Sequence, residues 1–261
     1  MTHHETNVIC EPGIHGTFTR PGGESPAPAV LMLHGFASQR DEVGGLYARL
    51  AAALAERGVA SLRIDFRGWG SSPGDMADTT VGGQLDDALS AYTWLERETP
   101  VDPARMGMLG FSLGGSIAML ASARLSQPPR ALALWSATHD LRQSFLLEMS
   151  EETFAAAAQN EAVEVDLGWR MVTLKRTFFD SLTKHNPPAA LATYQGALLV
   201  VAGSEDSSAH SLDILTDRAG STQKETMLIP GADHIFNVLG DSQAISEALI
   251  TKTADWFAVA L

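Results

Sequence analysis

Short apolar runs and amphipathic stretches alternate along most of the chain. Runs such as 29–33 and 131–135 are continuously apolar, as in strands buried on both faces of a sheet. Stretches such as 46–57 and 81–98 instead carry apolar residues at helical spacing. This alternation predicts an α/β fold, a mostly parallel central sheet with helices on both faces. The predicted strands cover 29–33, 60–64, 105–109, 131–135, 197–201 and 225–229, and the predicted helices cover 46–57, 81–98, a segment beginning at 117, and 245–261.

Two segments depart from this alternation. Residues 8–20 alternate loosely around Pro12 and Gly13, which predicts two short antiparallel edge strands. The 137–195 segment is about ten times longer than a usual strand-to-helix connection. Within it, 163–173 is typical of a small hairpin and 174–185 of a helix. We expect a core domain formed by 1–136 and 196–261, with 137–195 as a cap over the functional site; an ordinary packed subdomain is the alternative.

Composition narrows the class of protein. The chain has 261 residues, 45% of them hydrophobic, which suffices for one large core. Its 18 basic and 31 acidic residues give a net charge of −13, which disfavours nucleic acid as a partner. No leader segment and no membrane span are predicted, so we expect a cytoplasmic protein; a homo-oligomer stays open. The single cysteine, Cys10, excludes an intrachain disulfide and lacks the context of a nucleophile.

A glycine-flanked serine follows one predicted strand. Residues 110–114 read Gly-Phe-Ser-Leu-Gly, between the strand 105–109 and the helical pattern that begins at 117. On such a strand-to-helix turn a side chain at Gly110 or Gly114 would collide with the neighbouring strand or helix, and the Ser112 hydroxyl stands clear of the sheet. The motif therefore indicates a nucleophile. A helix N-cap is the simpler alternative, since serine favours that position.

A serine nucleophile needs a base and an acid that orients the base. His234 lies in a glycine-containing loop after the last predicted strand, and we interpret it as the general base. Asp206 follows the strand 197–201 and is the preferred acid, because Gly203 lets the chain turn sharply before it. Asp140, after the strand 131–135, is a competing acid. The order serine, acid, histidine is diagnostic of one hydrolase fold.

Acyl transfer also needs N–H donors for the developing oxyanion. The N–H of Leu113 at the helix start is one candidate, and that of Phe36, in the loop after the strand 29–33, is the second. His34 in the same loop is expected to shape it and is also a candidate substrate contact. This chemistry requires no cofactor and no metal. The other candidate substrate contacts are Phe145, Trp169, Phe178 and Ile235.

Taken together, these motifs resemble the α/β-hydrolase superfamily. Within it the chain is similar to the branch of cinnamoyl and feruloyl esterases, monoacylglycerol lipases and serine aminopeptidase-like hydrolases. The resemblance covers nearly the whole chain and implies a serine hydrolase with Ser112, Asp206 and His234 as its triad. The segments that carry it are His34-Gly35-Phe36, Asp65-x-Arg67-Gly68-x-Gly70-x-Ser72, Gly110-x-Ser112-x-Gly114-Gly115, Gly203-x-x-Asp206 and Gly231-Ala232-Asp233-His234-x-Phe236.

The sequence therefore predicts a serine carboxylesterase that acts on small to medium acyl esters, with aromatic cinnamoyl-type esters among the candidates. A small-molecule ester would be its partner. Three alternatives remain: an amidase or aminopeptidase-like hydrolase, an acyltransferase, and a non-catalytic binding protein on the same scaffold. For the amidase, Glu148, Glu151 and Glu152 could supply a carboxylate for a free amine, and they equally fit a solvated helix face.

Overall fold

The fold is known from a computed structural model that describes residues 3–23, 25–98 and 100–261. Residues 1 and 2 of the expected core domain, Glu24 of the loop 21–28 and Thr99 lie outside the described residues. The strands are β1 His3–Cys10, β2 Ile14–Pro21, β3 Ala27–Leu33, β4 Ala60–Ile64, β5 Val101–Phe111, β6 Ala131–Trp135, β7 Ala162–Asp166, β8 Met171–Lys175, β9 Ala197–Gly203 and β10 Lys224–Ile229.

Helices connect most of these strands. The first three, α1 to α3, and the last, α9, pack on the main sheet, and the others belong to the connections on either side of β9. The helices are α1 Leu46–Glu56, α2 Val81–Arg97, α3 Leu113–Ser122, α4 Leu141–Met149, α5 Glu151–Gln159, α6 Arg176–Ser181, α7 Pro187–Leu191, α8 Ala209–Arg218 and α9 Ala244–Ala260.

Eight strands form one sheet in the order β1-β2-β4-β3-β5-β6-β9-β10. The β1–β2 hairpin and the β2–β4 pair are antiparallel, and all pairs from β4 to β10 are parallel. This arrangement confirms the predicted α/β fold with a mostly parallel sheet. From β3 the chain continues to β4 on one side, and from β5 to β6 on the other. The carboxyl ends of β3 and β5 therefore flank a topological switch point, where α/β sheets bind ligands.

The sheet is buried on both faces because central strands such as β3 and β6 are apolar along their length. In β3, Leu31 and Leu33 contact the core beneath α2 and α3, whereas Val30 and Met32 contact the core beneath α1 and α9. Trp135, at the end of β6, is fully buried in the second core, where its indole N–H donates to Thr253 Oγ1. The fold thus holds the carboxyl ends of its strands rigidly.

The connection between β6 and β9 contains α4 to α7 and a separate hairpin of β7 and β8. The predicted hairpin at 163–173 is confirmed. The helix predicted for 174–185 is shorter, because β8 continues to Lys175 and α6 ends at Ser181. Phe145 of α4 and Phe178 of α6 are buried in the core shared with α2 and α3. This connection therefore packs directly on the sheet domain.

No helix within the described ranges is long and apolar enough to cross a membrane.

Candidate active site

The turn between β5 and α3 has the crowding predicted for its glycines. A Cβ at Gly110 would lie 2.1 Å from the carbonyl oxygen of Gly114, and one at Gly114 would lie 2.1 Å from that of Leu33. Ser112 between them has φ 53° and ψ −119°, a conformation that costs a non-glycine residue free energy. Strain of this kind in a packed turn is characteristic of functional positions.

The Ser112 side chain does not act as the N-cap of α3, which was the simpler alternative. The hydroxyl accepts no hydrogen bond from the first turn of α3, so far as the described residues show. The Ser112 amide donates to Trp135 O of β6 at 2.8 Å, which fixes the turn against the neighbouring strand. The hydroxyl is therefore not used to begin the helix.

Asp206 and His234 come together although 28 positions separate them in the chain. His234 Nδ1 lies 3.0 Å from Asp206 Oδ1. The side chain of Asp206 is 1% exposed, whereas that of His234 is 46% exposed. The His234 ring also packs against Phe111, with ring centroids 5.2 Å apart, and Phe111 immediately precedes Ser112. An acceptor at Nδ1 favours the tautomer with its proton there, which leaves Nε2 as the basic nitrogen.

The electrostatics of the pair favour its charged forms. Burial alone would raise the pKa of Asp206, but the hydrogen bond and charge of His234, with two hydrogen bonds from Ser208, lower it to about 2. Burial would likewise lower the pKa of His234, but the hydrogen bond and charge of Asp206 outweigh it, helped by the charges of Glu148 and Glu42. The pKa of His234 is therefore raised above 6.5.

The competing carboxylates near these loops have other partners. Asp140 caps α4, where its side chain accepts from the Gln143 amide at 2.9 Å. Asp233 Oδ1 accepts from the amides of Ile235 and Asn237 and shapes the loop that carries the histidine. Glu205, next to Asp206, is exposed. Asp206 is thus the carboxylate in direct contact with His234 Nδ1.

The amides of Phe36 and Leu113 are both available to a ligand. Neither N–H group donates to an acceptor among the described residues. The two segments touch, because the backbone of Gly114 at the start of α3 approaches the Leu33 and His34 carbonyl groups at the end of β3. The switch point between β3 and β5 thus brings the segments of both amides together.

His34 does not fit a role in contacting substrate. It is 1% exposed, its Nε2 accepts from the Phe66 amide at 3.2 Å, and its Nδ1 lies 2.7 Å from Gly35 O. Burial lowers the pKa of His34 to about 4, so the ring is neutral and each nitrogen is engaged by backbone. Its position matches the other expectation, that His34 shapes the loop after β3.

Aromatic side chains surround Phe36. Its ring packs on Phe145 at 5.1 Å and on Phe178 at 5.2 Å, and it meets Trp69 edge-on at 5.6 Å. Two of the five candidate substrate contacts, Phe145 and Phe178, thus lie against the loop that carries the Phe36 amide. Trp169 is instead 65% exposed at the tip of the β7–β8 hairpin, and Ile235, beside the histidine, is partly buried in the second core.

Glu42 is a residue that sequence reasoning missed. It is 4% exposed, and its carboxylate accepts hydrogen bonds from Gly35 N, Ser38 Oγ and Val43 N. It lies between Asp41 and Val43 in a polar stretch that reads as an exposed loop. No signal in the sequence could have identified it, because its partners are set by the folded loop.

Arg170 at the hairpin tip was also missed. Its guanidinium donates to Ala37 O at 3.2 Å and lies over the Trp69 ring at 5.6 Å. The hairpin is therefore attached to the loop after β3, one residue beyond Phe36. Within 3–23, 25–98 and 100–261, no group of three or more His, Cys, Asp or Glu side chains could hold a metal ion.

The sequence of the chain matches a known protein family and curated relatives. The family model described as X-Pro dipeptidyl-peptidase (S15 family) matches residues 13–166. An uncharacterized protein of Mycobacterium tuberculosis is 30% identical over 232 residues, which are 87% of this chain and 71% of that protein.

Solved structures share the fold at low sequence identity. The structure of Est1E from Butyrivibrio proteoclasticus with ferulic acid bound has a TM-score of 0.80 and 20% identity, over 97% of this chain and 99% of that one. The esterase domain of a Rhodothermus marinus protein has a TM-score of 0.71 and 20% identity, over 99% of each chain. The predicted resemblance to the α/β-hydrolase superfamily is confirmed.

Proposed function

The chain belongs to the X-Pro dipeptidyl-peptidase (S15) family and is a hydrolase of the α/β-hydrolase type, and from this premise we propose that it is a serine carboxylesterase acting on small to medium acyl esters. The observation that carries the proposal is the contact between His234 Nδ1 and Asp206 Oδ1 next to the strained turn of Ser112. A hydroxyl without a capping role, a basic imidazole nitrogen and a buried carboxylate are the components of nucleophilic acyl transfer.

In the proposed mechanism, Ser112 Oγ attacks the ester carbonyl carbon while His234 Nε2 accepts the hydroxyl proton. The carbonyl π electrons move onto oxygen, and this oxyanion is bound by the Phe36 and Leu113 N–H groups, each worth roughly 3 kcal/mol of barrier. When the tetrahedral intermediate collapses, the ester C–O bond breaks, and the imidazolium gives its proton to the leaving alcohol.

Water completes the cycle by the same steps. His234 takes a proton from water, the hydroxide attacks the acyl-enzyme, and collapse releases the carboxylic acid and restores the Ser112 hydroxyl. The raised pKa of His234 suits it to hold the proton between the two transfers, because the charge of Asp206 stabilises the imidazolium.

The 137–195 segment is proposed as the cap of this enzyme. Phe145 and Phe178 from this segment cover the ring of Phe36, and Arg170 reaches Ala37. Apolar packing of this kind around Phe36 favours an apolar acyl group, with aromatic acyl groups such as cinnamoyl among the candidates.

Peptide or amide cleavage is the second candidate function. The family match favours it, and so does Glu148 of α4, whose charge acts on His234. A carboxylate near the base could bind the free amine of a short peptide or an aminoacyl substrate.

A substrate panel distinguishes these functions. We expect p-nitrophenyl acetate, butyrate and cinnamoyl esters to be hydrolysed faster than aminoacyl and X-Pro p-nitroanilides, whereas the reverse order would establish the peptidase. Ser112→Ala should lose at least about 10⁴-fold in kcat and should not react with a fluorophosphonate probe. Full turnover by Ser112→Ala would refute both functions, since both use the same nucleophile.

A further inference from the structure

The buried carboxylate of Glu42 holds the loop after β3 at both sides of Phe36. Glu42 Oε1 accepts from Gly35 N at 2.5 Å, and Oε2 accepts from Ser38 Oγ at 2.8 Å and Val43 N at 3.1 Å. Gly35 directly precedes Phe36, and Ser38 follows it by two residues. The direction of the Phe36 N–H group is therefore fixed by a side chain six positions further along the chain.

This arrangement is costly for the fold. Glu42 is 4% exposed, and a carboxylate removed from water needs compensation by hydrogen bonds. Burial raises the pKa of Glu42, against the lowering effect of its three hydrogen bonds. Its backbone has φ 60° and ψ 171°, a region that is nearly restricted to glycine. A buried charge on strained backbone persists where the surroundings determine it strongly, as at functional sites.

The same loop is supported from its other side. Ala37 has φ 56°, another positive value for a non-glycine residue, and its carbonyl oxygen accepts from Arg170 of the hairpin. Glu42 therefore holds the loop at Gly35 and Ser38, and Arg170 holds it at Ala37 between them. A loop that depended on its local sequence alone would not keep two such residues in this conformation.

Glu42 also acts on the candidate base. Its charge lies close enough to His234 to raise the pKa of the imidazole, alongside the charges of Asp206 and Glu148. The carboxylate would thus favour the imidazolium that forms when Ser112 is deprotonated. The Glu42 carboxylate thus accepts from three donors of its own loop and also acts electrostatically on His234.

We propose that Glu42 is a positioning residue of the hydrolytic reaction, which aims the Phe36 N–H group at the oxyanion and stabilises the protonated His234. This inference rests on the proposed function, because it assumes an oxyanion at Ser112. Glu42 itself touches neither the substrate nor the reacting atoms.

The test is Glu42→Gln, assayed on the best ester from the substrate panel. Glutamine has nearly the same volume, but it loses the charge and offers one oxygen where three donors require two. A donor misplaced by about 1 Å costs on the order of a hundredfold in rate. We expect kcat to fall by roughly tenfold to a hundredfold with KM changed less than twofold, and a boronate transition-state analogue to bind weaker by the same factor as kcat/KM.

A second readout is the pH profile. The acid limb of kcat/KM should move to lower pH in Glu42→Gln, because a negative charge near His234 is lost while Asp206 and Glu148 remain. A purely structural role would leave this limb in place. Glu42→Gln that is folded, with wild-type kcat and an unmoved acid limb, would overturn the proposal.

Two further variants keep the test decisive. Asp87→Asn is the matched control, because Asp87 is a 2% exposed carboxylate that accepts from the backbone and side chain of Arg67 and does not act on His234. It should lose stability but keep kcat and the pH profile.

If Glu42→Gln fails to fold, Ser38→Ala removes one of the three donors and should lower kcat several-fold. An unchanged kcat in Ser38→Ala would also overturn the proposal. Activity retained by Ser112→Ala would instead refute the proposed function, whatever the effect of Glu42→Gln on kcat.

Discussion

Arg170 of the β7–β8 hairpin donates a hydrogen bond to the carbonyl oxygen of Ala37, 133 positions away in the chain. Ala37 follows Phe36, whose amide is a candidate oxyanion donor, so the hairpin and the reaction site are joined through one guanidinium. Its contact with the Trp69 ring adds cation–π attraction and orients the group.

Arg170→Ala should free both the hairpin tip and the loop after β3. We expect kcat/KM for esters to fall about fivefold to twentyfold, with faster amide hydrogen exchange in 34–42 and 166–171. Arg170→Lys should be intermediate, because an ammonium cannot stack on Trp69 and reach Ala37 O in the same way.

Lys175→Ala is the control for Arg170. It breaks the exposed ion pair with Asp78 at the base of the hairpin and leaves the loop after β3 untouched. Its kinetics should stay within twofold of the wild type. Equal kinetics and exchange in Arg170→Ala and wild type would mean that the hairpin does not support the loop.

The pH profile should report the charge around His234. The proposed mechanism requires the neutral imidazole, so the raised pKa of His234 should move the acid limb of kcat/KM above the ordinary range of a histidine, with activity lost as pH falls through it. Asp206→Asn removes the largest influence that raises this pKa, so the limb should move to lower pH, while kcat falls by roughly 10⁴-fold.

Glu148→Gln should shift the same limb downward by less and keep kcat near wild type. Glu152→Gln on α5 is its matched control, since Glu152 is exposed and does not act on His234. An acid limb that stays in place in Glu148→Gln would show that α4 does not influence the base.

The turn at Ser112 should tolerate no side chain at its glycines. In Gly114→Ala the new Cβ would lie 2.1 Å from Leu33 O and 2.5 Å from His34 O, both backbone atoms of β3 and the loop that follows it. We expect a loss of about 3 kcal/mol or more in the free energy of unfolding, or failure to fold.

Gly82→Ala is the comparison for Gly114→Ala. Gly82 lies near the start of α2 with a nearest neighbour at 3.6 Å, so alanine should stabilise the protein by up to about 0.5 kcal/mol. Urea unfolding of both variants measures the difference. A folded Gly114→Ala with wild-type stability would show that β3 can move away from α3.

Phe178→Ala should separate packing at the site from packing elsewhere in the cap. Phe178 is 1% exposed and stacks on Phe36, so we expect a loss of about 3–5 kcal/mol in stability and a several-fold lower kcat. Phe179→Ala is the control, because Phe179 is 7% exposed and its ring packs on Phe154 and Phe178 rather than on Phe36. It should lose comparable stability with kcat retained. Equal kcat values in the two variants would show that packing of the cap on Phe36 does not affect catalysis.

The sequence predicted the sheet and the turn at Ser112 because both depend on local patterns. Continuous apolar runs define strands such as β3 and β6, and the crowding at Gly110 and Gly114 follows from a strand passing directly into a helix. Asp206 and His234 were predicted from their places after strands, and parallel strands bring such places to one edge. Their catalytic roles stay predictions.

The supporting residues could not be predicted, because their roles depend on distant partners. Glu42 is defined by donors that only the folded loop brings together, and Arg170 by a carbonyl group 133 positions away. The α8 helix was missed since its charged and polar residues obscure Leu212 and Leu215 as its buried positions. His34 was assigned two roles, because no local pattern distinguishes a buried histidine from one that faces a ligand.

The order in which the strands arrive along the chain has a consequence for biosynthesis. The segments that carry Ser112 and the loop after β3 precede β6 in the chain, but Asp206 and His234 follow β9 and β10, the last strands of the sheet. A nascent chain would expose its serine early, without a base to activate it. Under the proposed mechanism, turnover would thus begin only when the far edge of the sheet has assembled, so activity would report completed folding rather than partial folding.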